Sequence, residues 1–295
     1  MKMSEALDLW EKYQKDILGR SENTIKNYIS DVNQFAKMEH IDSVDTSREE
    51  IEHYLSSLCE TGRSEATRSR KITAIQMFYS FLHKSGYIEE DPSAGIAKPK
   101  IPKKVVKVMD DEEVKDVLSA AENEKKNKDY FRNMTLIYLL FSTGLRRNEL
   151  VNVKLDDVSI KDNSLLVREG KGSKQRVVYF NDTMKALLSE YIAGHRPMLK
   201  YADKSEYLFP SNCHEKLGLS TVNMIVNKVF TDAGVKDKGY TGHSTRKVFA
   251  SKVYDATKDI VTVQQLLGHT NPQTTMRYVM VAEERKKNAA QLVNF

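Results

Sequence analysis

Three short stretches carry the residue types that a reacting phosphodiester would need. Thr143-Gly-Leu-Arg146-Arg-Asn-Glu149-Leu comes first, His243-Ser-Thr-Arg246 follows, and LLGHTNPQTTMRY brings His269 and Tyr278 near the end of the chain. Attack on a phosphodiester adds negative charge to a group that already repels nucleophiles. Arginine answers this with a fixed fork of donors that matches phosphate oxygens and keeps its proton at working pH. Two arginines and a histidine around one phosphate could do the electrostatic work that a divalent cation does elsewhere. A tyrosine hydroxyl, with a pKa of about 10, needs a base or strongly positive surroundings before it attacks. The leaving oxygen needs a proton, which a lysine or histidine on the opposite side could give.

Each residue also has a plainer reading. Arg146 could pair with Glu149 one helical turn away, and the two roles are compatible. Arg147 reads as a solvated neighbour, His269 as a cap after Gly268, and Tyr278 as a ring packed on a helix face.

These side chains need elements to hold them. MTLIYLLFSTGL, just ahead of Arg146, is apolar but far short of the roughly 20 residues that span a bilayer, so it reads as a buried core helix. VSIKDNSLLVREGKGSKQRVVYF alternates and is β-rich, with Gly170-Lys171-Gly172-Ser-Lys174 as the turn between strands. Helical patterning returns at Asp182 and runs nearly to the end. MDDEEVKDVLSAA opens this second part with an acidic first turn, suited to the positive end of a helix.

The first hundred residues read as helices. Ser21 caps one that carries Ile25, Tyr28, Ile29, Val32 and Phe35 at helical spacing, and a second begins near Ser47. A third, SEATRSRKITAIQMFYSFLHKSG, has Ile72, Ile75, Met77, Phe78, Phe81 and Leu82 on its apolar face. Thr67, Arg68, Arg70 and Lys71 lie on its early turns, and Gly86 stops it. Asp91-Pro92-Ser-Ala-Gly95 breaks the pattern, and a segment rich in lysine and proline follows. The division expected is a helical domain over 1–97, a basic linker over 98–104 and a second domain over 105–295. The fold class expected is mainly α, with a small antiparallel β-sheet in the second domain.

The chain has 295 residues, enough for two ordinary domains with a core each. Its net charge of +5 is too small to establish a nucleic-acid partner, but its distribution is uneven. Lys98, Lys100, Lys103, Lys104 and Lys107 form one basic run, and Arg63, Arg68, Arg70 and Lys71 another. Cys59 and Cys213 lie far apart without paired-ligand spacing, so no metal site is expected, and a reducing cytoplasm fits. MKMSEALDLWEKY is an amphipathic helix start without the apolar run of a signal peptide.

TGLRRNEL, GKGSKQRVV, HSTR and LLGHTNPQTTMRY, in that order, resemble the four signature blocks of the tyrosine recombinases, the phage integrase family. The resemblance covers the chain from Val105 onward. More loosely, the first domain is similar to the SAM-like core-binding domain of Xer-like members. It implies a site-specific DNA recombinase in which Tyr278 attacks the phosphate and forms a 3′-phosphotyrosine link. Arg146 and Arg246 would hold the non-bridging oxygens, His243 and His269 would donate to the phosphate or assist proton transfer, and Glu149 would support the site. Lys171 would be the general acid for the leaving 5′ hydroxyl, with Lys174 on the same turn as the alternative. One departure stands in the second-arginine block, where Thr245 and Lys247 replace the usual Leu and His.

The resemblance further implies a two-domain clamp around double-stranded DNA, with Thr67, Arg70 and Lys71 as candidates for a helix in the major groove. A capped, solvent-exposed helix is the alternative there. It implies four protomers on two DNA sites, joined through a Holliday junction. The helical tail after Tyr278 would dock on a neighbouring protomer, or else on its own domain. No ATP, metal or organic cofactor is implied. A type IB topoisomerase-like enzyme and a catalytically inactive DNA-binding regulator are the competing classes.

Overall fold

A computed structural model describes residues 1–101, 107–123, 129–168 and 175–268. The chain divides into two compact units, Met1–Lys104 and Val105–Phe295. The first contains four helices among its described residues: α1 (Met3–Lys12), α2 (Glu22–Met38), α3 (Arg48–Glu60) and α4 (Glu65–Lys84). A π-helical turn, Tyr13–Ile17, extends α1.

The helix starts read at Ser21 and Ser47 are in place, and Ser64 caps the next helix. Ser21, Ser47 and Ser64 each accept from a backbone N–H three residues on, so each helix starts with one fewer unpaired donor. α4 ends at Lys84, two residues before Gly86, which adopts a left-handed φ of 75°. Trp10, Phe35, Tyr54, Phe78 and Tyr79 fill the middle of this unit, with edge-on ring pairs between Trp10 and Phe78 and between Phe35 and Tyr54.

The second unit begins with α5 (Asp111–Asn123) and the apolar α6 (Tyr130–Thr143). Leu136, Ile137, Leu139 and Leu140 are all fully buried, as expected of a helix that is hydrophobic on most of its circumference. The one-turn α7 (Arg147–Val151) follows. Three short strands come next: β1 (Val158–Ser159), β2 (Ser164–Val167) and β3 (Arg176–Tyr179), antiparallel in the order β1-β2-β3. Their register sets Leu165 opposite Val178 and Val167 opposite Arg176. Helices α8 (Asp182–Glu190), α9 (Leu219–Asp232), α10 (Ser244–Thr257) and α11 (Ile260–Leu267) complete the described part. The fold is therefore mainly helical with one small antiparallel sheet. Among the described residues no helix is long and apolar enough to cross a membrane.

Candidate active site

The site is built around the buried carboxylate of Glu149, on α7. Gly144 ends α6 in the left-handed region, at φ 63°, and Leu145 is buried, so the chain turns sharply into Arg146. Arg146 is extended and precedes the first turn of α7, where Glu149 reaches back to accept from its backbone N–H at 2.8 Å. The Arg146 guanidinium donates to the other carboxylate oxygen at 2.7 Å. The ion pair expected between Arg146 and Glu149 is therefore formed.

Arg246, on the first turn of α10, is only 1% exposed. Its Nη1 donates to the Gly144 carbonyl at 2.6 Å and stands 4.0 Å from Glu149 Oε2. Its Nη2 donates to the carbonyl of Leu267, the last residue of α11. One guanidinium therefore joins the ends of α6 and α11 beside the Glu149 carboxylate. His243, immediately before α10, is exposed. Although the residue reaches solvent, the protein on its inner side removes part of the ring's hydration, and Arg246, Lys247, Arg146 and Arg147 repel a further positive charge. Together these hold its pKa below the usual 6.5. Burial likewise lowers the pKa of Lys247.

Two residues near the site differ from the sequence reading or escaped it. Arg147 is half-buried rather than solvated, and it donates to Asn223 on α9. Its stem fills the space beside Gly242, where an added Cβ would lie 2.7 Å from Arg147 Cδ. Arg176, at the start of β3, was not singled out at all. It meets Glu149 with a parallel fork, Nη1 to Oε1 at 2.9 Å and Nη2 to Oε2 at 2.8 Å. The available signal was the strand period. In RVVY, position 176 falls in phase with the buried Val178, and an arginine on the inward face of a strand needs a partner.

Burial alone would push the Glu149 carboxyl up. The Arg176 hydrogen bonds and charge, aided by the Arg146 backbone and side chain, outweigh it and hold the pKa below 4.5. Three arginines against one carboxylate leave a surplus of two positive charges at this centre. A phosphodiester carries one negative charge, and nucleophilic attack adds a second, so the surplus grows in value as the reaction proceeds.

Lys171, Lys174, His269 and Tyr278 lie outside the described residues. In the first unit, Thr67 is half-buried and its hydroxyl is bonded to Ser64 Oγ at 3.0 Å, while Arg70 is partly exposed and pairs with Asp31. Lys71 departs from the expectation of an outward-facing lysine. It is 4% exposed, with its ammonium 3.0 Å from the buried Asp31 carboxylate and bonded to Gln34. The cause is helical phase: Lys71 falls on the same buried stripe as Ile75, Phe78 and Leu82.

Residues 107–285 match the Phage integrase family, and residues 7–86 match its N-terminal SAM-like domain. The tyrosine recombinase XerD of Staphylococcus haemolyticus is 33% identical over 285 residues, covering 92% of this chain and 94% of that protein. The chain belongs to the phage integrase family of tyrosine recombinases. Among solved structures, XerH bound to a palindromic difH substrate in a post-cleavage complex aligns with a TM-score of 0.75 at 23% identity, over 97% of this chain and 83% of that one. A lambda integrase tetramer bound to a Holliday junction aligns with a TM-score of 0.72 at 20% identity, over 92% of this chain and 78% of that one.

Proposed function

We propose that this protein is a site-specific recombinase that cuts and rejoins double-stranded DNA through a tyrosine–phosphate bond. The observation that carries it is the convergence of Arg146 and Arg246, 100 positions apart, on the single buried carboxylate of Glu149, with His243 at the start of the same helix as Arg246. That arrangement is a preset cluster of positive charge, and its cost is met in folding instead of at the moment of reaction.

In this reading Tyr278 attacks the scissile phosphate while Arg146 and Arg246 hold its non-bridging oxygens. His243 and His269 donate to the phosphate or assist transfer of the tyrosine proton. Lys171, or Lys174 on the same turn, protonates the departing 5′ oxygen. A 5′ hydroxyl from a partner duplex then attacks the phosphotyrosine and restores a phosphodiester with strands exchanged. The bond energy is conserved, so no ATP is needed, and the arginines take the place of a metal.

Residues 1–97 serve as the core-binding half of a clamp on DNA, residues 98–104 as a basic linker and residues 105–295 as the catalytic half. Thr67 and Arg70 are the groove-facing candidates on α4. Four protomers act on two sites through a Holliday junction, and the tail after Tyr278 docks on a neighbouring protomer. The reaction takes place in the cytoplasm.

The test is covalent trapping. Full-length protein is incubated with a nicked duplex carrying the site that it selects from random-sequence DNA, and the products are resolved in detergent. Wild type should give a protein–DNA adduct, and Tyr278→Phe none. An adduct of undiminished yield from Tyr278→Phe would end this reading.

A further inference from the structure

A second arginine network runs behind the groups assigned to the phosphate. Arg176 is 10% exposed and uses three donors: two in the fork on Glu149, and Nε on the carbonyl of Leu266 at 3.1 Å. Leu266 is next to Leu267, whose carbonyl accepts from Arg246. Successive carbonyls at the end of α11, which have no partner within the helix, are therefore held by two different arginines. Arg246 in turn stands beside Glu149, which closes a ring through α7, β3, α11 and α10.

The ring also fixes what passes behind it. Gly268 ends α11 at φ 64°, and a Cβ there would lie 2.9 Å from Arg176 Cδ, so the Arg176 stem packs directly under the residue that precedes His269. On its other side, Arg176 follows the Lys171–Lys174 segment with only Gln175 between.

We propose that Arg176 is a positioning residue, fastening the strand that follows the lysine segment, the Arg146–Glu149 turn and the end of α11 into one frame around the phosphate. This rests on the recombinase reading above. Arg176 need not touch DNA. It acts through Glu149, satisfying the carboxylate from behind so that Arg146 and Arg246 are aimed without being neutralised. Lysine keeps the charge but has a single nitrogen, and cannot reproduce a bidentate fork plus a third bond to Leu266. Glutamine removes the charge as well.

The experiment compares full-length wild type, Arg176→Lys and Arg176→Gln on the nicked duplex described above, following DNA affinity and single-turnover cleavage from about pH 4 to pH 8. Affinity should stay within about threefold, while cleavage falls about 10- to 100-fold, the scale expected when reacting groups are held about 1 Å out of place. The acid limb should move to higher pH in Arg176→Gln, because Glu149 then protonates more readily, and remain nearer wild type in Arg176→Lys. The charged groups facing Glu149 are Arg176 from β3, Arg146 from the start of α7 and Arg246 from α10.

Urea unfolding of the same proteins across that range reads the limb without DNA. A His243→Gln background removes the imidazole at the start of α10 from this reading. An unmoved acid limb in Arg176→Gln overturns the proposal whether or not the rate falls, as does wild-type cleavage by both variants. If wild type itself forms no adduct, the recombinase reading fails, and the unfolding limb still decides whether Arg176 governs Glu149. Arg176→Lys keeps the charge and so supplies a folded comparison if the glutamine variant is unstable.

Discussion

Glu149 is the residue on which the site depends, although it bears the wrong sign to bind phosphate. Removing a partner from a buried ion pair leaves the remaining charges uncompensated, and here three arginines would be stranded. Glu149→Ala should therefore destabilise the protein by about 3–5 kcal/mol in urea titration at neutral pH, and a loss below 1 kcal/mol would refute this account. Its pH dependence follows from a native pKa below 4.5. The stabilisation is fully present above that value and disappears as pH falls through the lower native pKa. His243 has the opposite charge type and a lowered pKa, so the folded state resists its protonation. Stability should fall as pH drops through 6.5 toward the native value, and His243→Gln should flatten that part of the curve. A wild-type curve that rises over the same interval would show the sign to be wrong.

At the scale of elements, the site is a meeting of helix ends. Gly144 closes α6, Gly268 closes α11, and Arg246 reaches both from the first turn of α10. Gly144 has no freedom to change: its φ is 63°, and a Cβ would lie 2.5 Å from Phe249 Cδ1 and 3.1 Å from Leu267 Cδ2. Gly144→Ala should cost at least about 1–2 kcal/mol from the backbone alone, visible as a lower midpoint in a thermal melt. An unchanged midpoint would refute the backbone cost itself, since relief of the Phe249 contact would not remove it. Much of this scaffold was legible in the sequence, because caps and periods are local. Ser21, Ser47 and Gly86 mark their helices correctly, and alternation located β2 and β3. What was not legible depends on distant pairing. Lys71 looked like a surface cation until α2 supplied Asp31, and Arg176 looked like a strand residue until Glu149 and Leu266 arrived from elsewhere in the chain. The spacing of Arg146 and Glu149 suggested their ion pair, but its burial follows only from the packing of α6 and α9 on α7 and from the arrival of Arg176 and Arg246 beside it.

At the scale of the whole molecule, the predictions concern how binding and chemistry respond to the medium. DNA affinity should fall linearly on logarithmic axes as salt rises, since basic side chains displace condensed counterions, and measurement over several salt concentrations would check it. An affinity indifferent to salt would contradict a phosphate-tracking surface. EDTA should leave the cleavage rate unchanged if, as proposed, side chains supply the positive charge at the phosphate; abolished cleavage would point to a required metal. Among the described residues, each hydrophobic core draws on one unit only, the first from Met3 to Ile96 and the main core of the second from Met109 to Val248. If the first unit carries DNA recognition and the second the chemistry, as proposed, a lineage could replace the first and acquire a new genomic address while inheriting the strand-joining machinery intact.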